Sequence, residues 1–408
     1  MKRFPLVLLV ALLVMVALLP GGAVRGQSDS AEDALLSMLR FVPDTPENRS
    51  MIVYGDPAAW YESWGVTAPL EEDLIPDLDA DTRAKLMFVM PDQTLPPEAL
   101  GLQYMLTAPD QGDYYGFDLF TTDRFLYASN PPDVLTVLDV ITEPDAIAAA
   151  LTSNGYASET LDAGTLFSLN DDYGFDLAFE GPAVGRMGTL NRIALLDDGT
   201  VLVARATPVI EASLAALDGD SVADLPTYQA AVGALGDEAL AQAGLLVGTI
   251  FVEGLQAEDP ALMLFGQNVT QEQIDALQAQ MAEQTDPPLA PYLLTAFATF
   301  HTPGATSLVL AVVFPAGVDA QAMADVLGAR MQDYTSLRTQ QPMSDLWALD
   351  QAVGVDVDGL PIALVSMRVD DPEPLAEGDS VGSMRVLAWQ QMIFARDLGF
   401  LAVTAPEE

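Results

Sequence analysis

Gly378-Asp379-Ser380-Val381-Gly382 has the spacing of a nucleophile elbow, G-x-S-x-G. That spacing performs chemistry when a buried strand turns sharply into a helix and lifts the serine toward a histidine further along the chain. Here the preceding residues are Asp370-Asp371-Pro372-Glu373-Pro374, an acidic, proline-bearing loop, and the only histidine, His301, comes earlier. A glycine-serine turn accounts for the pattern, and no catalytic residue is assigned. His301 itself, between Phe300 and Thr302-Pro303-Gly304, reads as a strand-end residue satisfied by a backbone group. A single imidazole cannot build the multi-histidine clusters of catalytic zinc or iron centres.

Carboxylates offer the other candidate chemistry. Asp77, Asp79 and Asp81 alternate like the first ligands of a calcium loop, and Asp356-Val357-Asp358-Gly359 is a second such fragment. Calcium selects clustered oxygens of this kind. The EF-hand pattern needs glycine at its sixth position and glutamate at its twelfth, and those positions hold Thr82 and Phe88. Asp356–Asp358 also reads as a hairpin turn. These five aspartates are therefore candidate calcium ligands outside any EF-hand, and no other cofactor is expected. The mature chain contains neither a P-loop nor a G-x-G-x-x-G, so no nucleotide-phosphate cradle is expected.

The charge narrows the list of partners. Among 408 residues there are 59 acids and 16 basic residues, for a formal charge of -43. Such a field repels nucleic acid and anionic lipid, and it attracts cations and basic proteins. The absence of cysteine removes disulfides, zinc thiolates and thiol catalysis. It also removes the attachment point of a bacterial lipoprotein.

Met1-Lys2-Arg3 precedes a 14-residue apolar run at 6–19, which Pro20-Gly21-Gly22 breaks. A basic start, a short apolar core and small residues after it make a signal peptide, assigned to 1–26. The run is shorter than the roughly 20 residues that span a bilayer, so cleavage is expected. An uncleaved anchor is the alternative, and the one route by which a membrane would be a partner.

Further on, capping and turn signals place the elements. Ser30, Asp56 and Asp319 stand where helices begin, and Thr142-Glu143-Pro144-Asp145 predicts a start with Thr142 as cap. Ile147 and Leu151 share a face. Asp197-Asp198-Gly199 predicts a hairpin between strands at 190–196 and 200–206. Thr270-Gln271-Glu272-Gln273 is a capping box. Met323, Val326, Leu327, Met331 and Tyr334 form one helical stripe. A terminal hairpin is expected over 390–404, with a helix ending near Arg396 as the alternative.

Two strand–helix–strand units, 134–169 and 307–369, both put an Asp-Ala pair at the helix start. The pentapeptide Tyr-Gly-Phe-Asp-Leu occurs twice, at 115–119 and 173–177. The expected fold is α+β: two lobes of mixed β-sheet with flanking helices, 27–236 and 237–408, a candidate internal duplication.

The stretch 123–169, with Asn130-Pro131-Pro132 and Asn154-Gly155-Tyr156, resembles segments of uncharacterised exported bacterial proteins. That resemblance implies an extracytoplasmic protein and brings no functional residues. The expected function is a non-enzymatic extracytoplasmic binding or interaction protein of the cell envelope, at the surface, in the periplasm or released. The partner is a protein or a small molecule. A secreted hydrolase using carboxylates or Ser380, and a calcium-stabilised structural protein, are the alternatives.

Overall fold

The computed structural model describes residues 30–66, 100, 111–128, 131–237, 240, 243–254, 270, 287–336, 341–370 and 381–403. The 1–26 leader, Asp77, Asp79, Asp81, the helix expected after Thr270 and Ser380 lie outside these.

Twelve strands form one sheet. They are β1 Ile52–Gly55, β2 Thr122–Ala128, β3 Leu135–Val140, β4 Ala157–Leu161, β5 Gly164–Ser168, β6 Arg192–Leu196, β7 Val201–Ala204, β8 Leu245–Glu253, β9 Leu294–Thr302, β10 Ala305–Val313, β11 Ala348–Val357 and β12 Leu360–Asp370. Their order is β11-β12-β10-β9-β8-β1-β2-β3-β7-β6-β5-β4. The strands before and after residue 236 are the two sides of this sheet. They meet where β1 pairs with β8, Ile52 opposite Phe251 and Gly55 opposite Gly248.

The α+β class is what the structure shows, with a sheet that is antiparallel in every described pairing instead of mixed. Five of the eleven neighbouring pairs, β2–β3, β4–β5, β6–β7, β9–β10 and β11–β12, are joined by hairpins, which force antiparallel pairing. Three helical crossovers land their strands away from the strand they left. The one after β3 leads to β4 and the one after β7 leads to β8, each four places along, and the one after β10 leads to β11, two places along.

The helices are α1 Ala31–Leu39, α2 Pro46–Arg49, α3 Pro57–Trp64, α4 Gln111–Tyr115, α5 Pro144–Ser153, α6 Ala183–Arg186, α7 Thr207–Ala216, α8 Pro226–Leu235, α9 Ala320–Asp333 and α10 Val381–Phe394. Three start as the capping signals require. Ser30, Asp56 and Asp319 accept hydrogen bonds from the backbone N–H groups of Asp33, Ala59 and Ala322. The expectation for Thr142 is corrected. Glu143 is the N-cap of α5 and makes no side-chain cap bond, because Pro144 starts the helix one residue later than a threonine cap requires.

Strand alternation distributes side chains to both faces of the sheet. On β10, Val309, Ala311 and Val313 face one layer, while Leu308, Leu310 and Val312 face the other. The first layer is closed by Leu35 and Leu39 of α1, Ile210 of α7, and Tyr228, Val232 and Leu235 of α8. The second is closed by α9 and α10 on one side of the sheet, through Leu327, Met331, Trp389 and Met392. On the other side α3 and α5 close it, through Trp60, Ile147 and Leu151. Each such fully buried aliphatic contributes about 2 kcal/mol. Cover on both faces explains why β10 is buried at every position.

The two halves repeat a succession. β3–α5–β4–β5 and β10–α9–β11–β12 each run from the third strand of a meander, through a helix on the second layer, to an antiparallel hairpin. In the first half the β6–β7 hairpin then fills the space between β5 and β3. The shared Asp-Ala pairs are not equivalent, since Asp319 caps α9 while Asp145 sits within the first turn of α5.

The terminal hairpin expected at 390–404 is instead α10 followed by a 3-10 turn, Gly399–Leu401. Trp389, Met392 and Ile393 are buried with helical spacing, and Arg396 leaves the helix at a φ of 53°. Buried Arg330 on α9 holds this end, donating to the carbonyls of Phe400 and Ala402 at 3.1 and 2.9 Å.

Candidate binding groove

The groove begins at Gly236, the C-cap of α8, which presents backbone instead of a side chain toward α1. A Cβ on Gly236 would lie 3.4 Å from one carboxylate oxygen of Glu32. Gly233, one turn earlier on α8, faces β11 first: a Cβ there would meet Val357 Cγ1 at 3.2 Å and Glu32 only at 4.0 Å. Glu32 occupies the exposed first turn of α1, whose next turn buries Leu35 and Leu39 in the sheet layer. Leu246 and Phe300, partners across β8 and β9, form the floor. Gly244 brings the chain into β8 at a φ of 111°, where a Cβ would strike the His301 carbonyl at 2.1 Å. Glycine is required there for both reasons.

The resulting cavity has a volume of about 290 Å³, with Leu35, Val232, Leu235, Leu240 and Leu245 completing its apolar lining. Glu32 and Asp237 are its acids. That volume is at the small end of ligand sites. It suits an apolar chain or one large side chain, with positive charge favoured at the rim. Among the described residues the lining contains no serine, histidine or lysine.

A polar cluster lies at the same end of the sheet. The Asp56 N–H donates to the Val247 carbonyl at 2.9 Å, one residue from Leu246 of the groove floor. The Asp56 carboxylate accepts from Ala59 N–H at 2.7 Å, Tyr54 hydroxyl at 3.1 Å and Arg124 Nε at 3.4 Å. Arg124 also donates to Asp139 at 3.3 Å. Burial pushes the Asp56 carboxyl above the usual carboxylate range, outweighing the Ala59 N–H and the Arg124 charge that pull it down. Burial pushes Asp139 up as well. Taking charges out of water makes such a cluster weak evidence for stability.

The sequence candidates fall elsewhere. Asp356 accepts from the Gly359 N–H at 3.0 Å, and with Asp358 and Gly359 at φ of 53° and 82° it forms the turn between β11 and β12. Its carboxylate thus serves the hairpin. Among the described residues no three of His, Asp or Glu gather closely enough to hold a metal ion. His301 is buried near the end of β9, next to Phe300 of the groove floor but on the opposite face of the sheet. β12 ends at Asp370 and α10 begins at Val381, so Val381 and Gly382, the last two residues of the Ser380 motif, open a helix. The sequence reading missed Glu32, Gly233 and Gly236. The signal was Gly233, a glycine inside a helical pattern three residues before the Gly236 cap, which often marks close approach by another group.

No family model matches the chain, and no curated protein is similar to it at a significant level. Among solved structures it is similar to crystal form III of TP0453, with a TM-score of 0.38 and 7% identity over 86% of this chain and 97% of that one. For crystal form I of TP0453 the TM-score is 0.35 and the identity 8%, over 88% and 96%. Similarity of that degree assigns no functional residue here. Among the described residues no helix is long and apolar enough to cross a membrane.

Proposed function

We propose that this chain is a non-enzymatic extracytoplasmic binding protein whose ligand seat is the groove between α1, α8 and the β8–β9 floor. The observation that carries the reading is an apolar cavity with two acids, Glu32 and Asp237, in its lining. Its ligand has an apolar body and a cationic end, because the lining takes hydrocarbon and Glu32 and Asp237 favour positive charge. The field of a chain with net charge -43 raises the local concentration of cations around the whole molecule. Extracytoplasmic placement rests on the 1–26 leader.

Titration calorimetry with octyltrimethylammonium and octyl sulfate, both below their micellar concentrations, tests this. The cation binds and the anion does not. Glu32→Gln weakens the cation several-fold, and Leu245→Arg, at the exposed rim, abolishes it while the melting temperature stays unchanged. Equal binding of the two amphiphiles, or indifference to both substitutions, sinks the reading.

A further inference from the structure

The second copy of the repeated pentapeptide, Tyr173-Gly174-Phe175-Asp176-Leu177, lies in the loop between β5 and β6, at the end of the strands away from the groove. Phe175 is 67% exposed, Leu177 70% and Met187 46%. The loop is nonetheless firmly held. Asn191 Nδ2 donates to the Gly174 carbonyl at 2.7 Å, and the Asp176 N–H donates to the Arg186 carbonyl at 3.1 Å. The latter bond sets Met187 beside Phe175 and Leu177. Phe179 turns inward onto Tyr114, with ring centroids 5.5 Å apart, in space left by Gly181 and Gly185. A loop fixed by its own hydrogen bonds, which keeps three large apolar side chains in water, is a pre-organised contact surface.

Two observations say what covers it. The first copy of the pentapeptide, at 115–119, shows which surface these side chains accept. Tyr115 and Phe117 are buried in the cluster that contains the aliphatic stripe Ile147–Leu151 of α5. The second observation is charge. Asp171, Asp176 and Glu180 are exposed around the patch. The neighbouring Arg186 and Arg205 donate to the carbonyls of Phe179 and Met187 at 3.1 and 2.6 Å. A second copy of this chain, also at -43, and an anionic lipid surface are both repelled. We propose that this loop is an interaction surface for a basic partner protein, which lays the aliphatic stripe of an amphipathic helix against Phe175, Leu177 and Met187.

The probe is a synthetic helical peptide of roughly five turns with a leucine stripe and a lysine-rich polar face. Its control has glutamate in place of every lysine. The protein binds the lysine peptide and not the glutamate peptide. Phe175→Ser/Leu177→Ser weakens that binding at least about tenfold, as loss of two central contacts should. Leu245→Arg, which blocks the groove, leaves it unchanged. Retained binding by the double variant would place the peptide elsewhere and overturn the proposal. So would equal binding of the two peptides. Sedimentation of the protein alone supplies a further arm: a dimer that the double variant abolishes would make a second copy the occupant. Both variants sit at exposed positions, and unchanged melting temperatures confirm that they fold.

Discussion

Tyr115–Leu119 and Tyr173–Leu177 are the same five residues with opposite fates. Phe117 is fully buried and Phe175 is 67% exposed. Their local turn chemistry is shared. Asp118 accepts from the N–H of Phe120, and Asp176 from that of Ala178, each at 2.9 Å and two residues on. What differs is the neighbourhood. Gly116, at a φ of 80°, lets α5 approach so closely that a Cβ would sit 2.7 Å from the Ile147 Cα. No described element lies over the second copy in that way. The contrast separates two kinds of information: a carboxylate two residues from an N–H makes its turn wherever it is, whereas burial depends on an element supplied from elsewhere in the chain.

The largest effect that would break or sharpen this contrast is in the two phenylalanines. Phe117→Ala should cost about 3–5 kcal/mol, and Phe175→Ala no more than about 0.5 kcal/mol. Urea denaturation of the two variants reads both, and similar losses would mean that the second copy is covered in solution. The glycines come next. Gly116→Ala combines a left-handed backbone with a backbone clash and should cost about 2–3 kcal/mol. Gly174→Ala should cost less. Its φ is ordinary, so only the contact of the added Cβ with the Asp171 carbonyl at 2.9 Å opposes the change. The comparison of melting temperatures settles the order.

The smallest effect is a pH dependence. Burial holds the Asp118 carboxyl above its ordinary value, despite hydrogen bonds from Thr121 and Phe120 that lower it. A raised carboxyl favours the folded state most when protonated. That contribution is complete below the unfolded value and is lost as pH rises through the folded value. Asp118→Asn removes the titration. Its stability relative to the wild type should therefore improve as pH rises from about 3 to 6. The Asp176→Asn curve serves as the reference. A difference that is flat with pH, or that runs the other way, would show that burial does not govern Asp118.

Much of the local structure was legible. Ser30, Asp56 and Asp319 cap helices because each puts a side-chain oxygen within reach of an N–H three residues on. Asp198-Gly199 and Asp358-Gly359 turn hairpins because glycine takes the positive φ. Ile147 and Leu151 face inward as their spacing required. The reading over 390–404 went astray because a short apolar run with a nearby Asp-Leu-Gly fits a hairpin as well as a helix end. The Glu32–Gly233–Gly236 arrangement was hidden because its parts lie some two hundred residues apart.

By itself, the sequence determined the α+β class, the positions of most caps and turns, and an acidic field. All of these follow from interactions within a few residues or from a sum over composition. Only the tertiary structure decided that β1 pairs with β8 to join the halves, and that one pentapeptide is covered while its twin is not. It also decided that the glycine capping α8, Gly236, faces Glu32 across a groove. An apolar side chain accepts any apolar cover, so its partner is chosen by the total burial of the whole chain and not by the residues beside it.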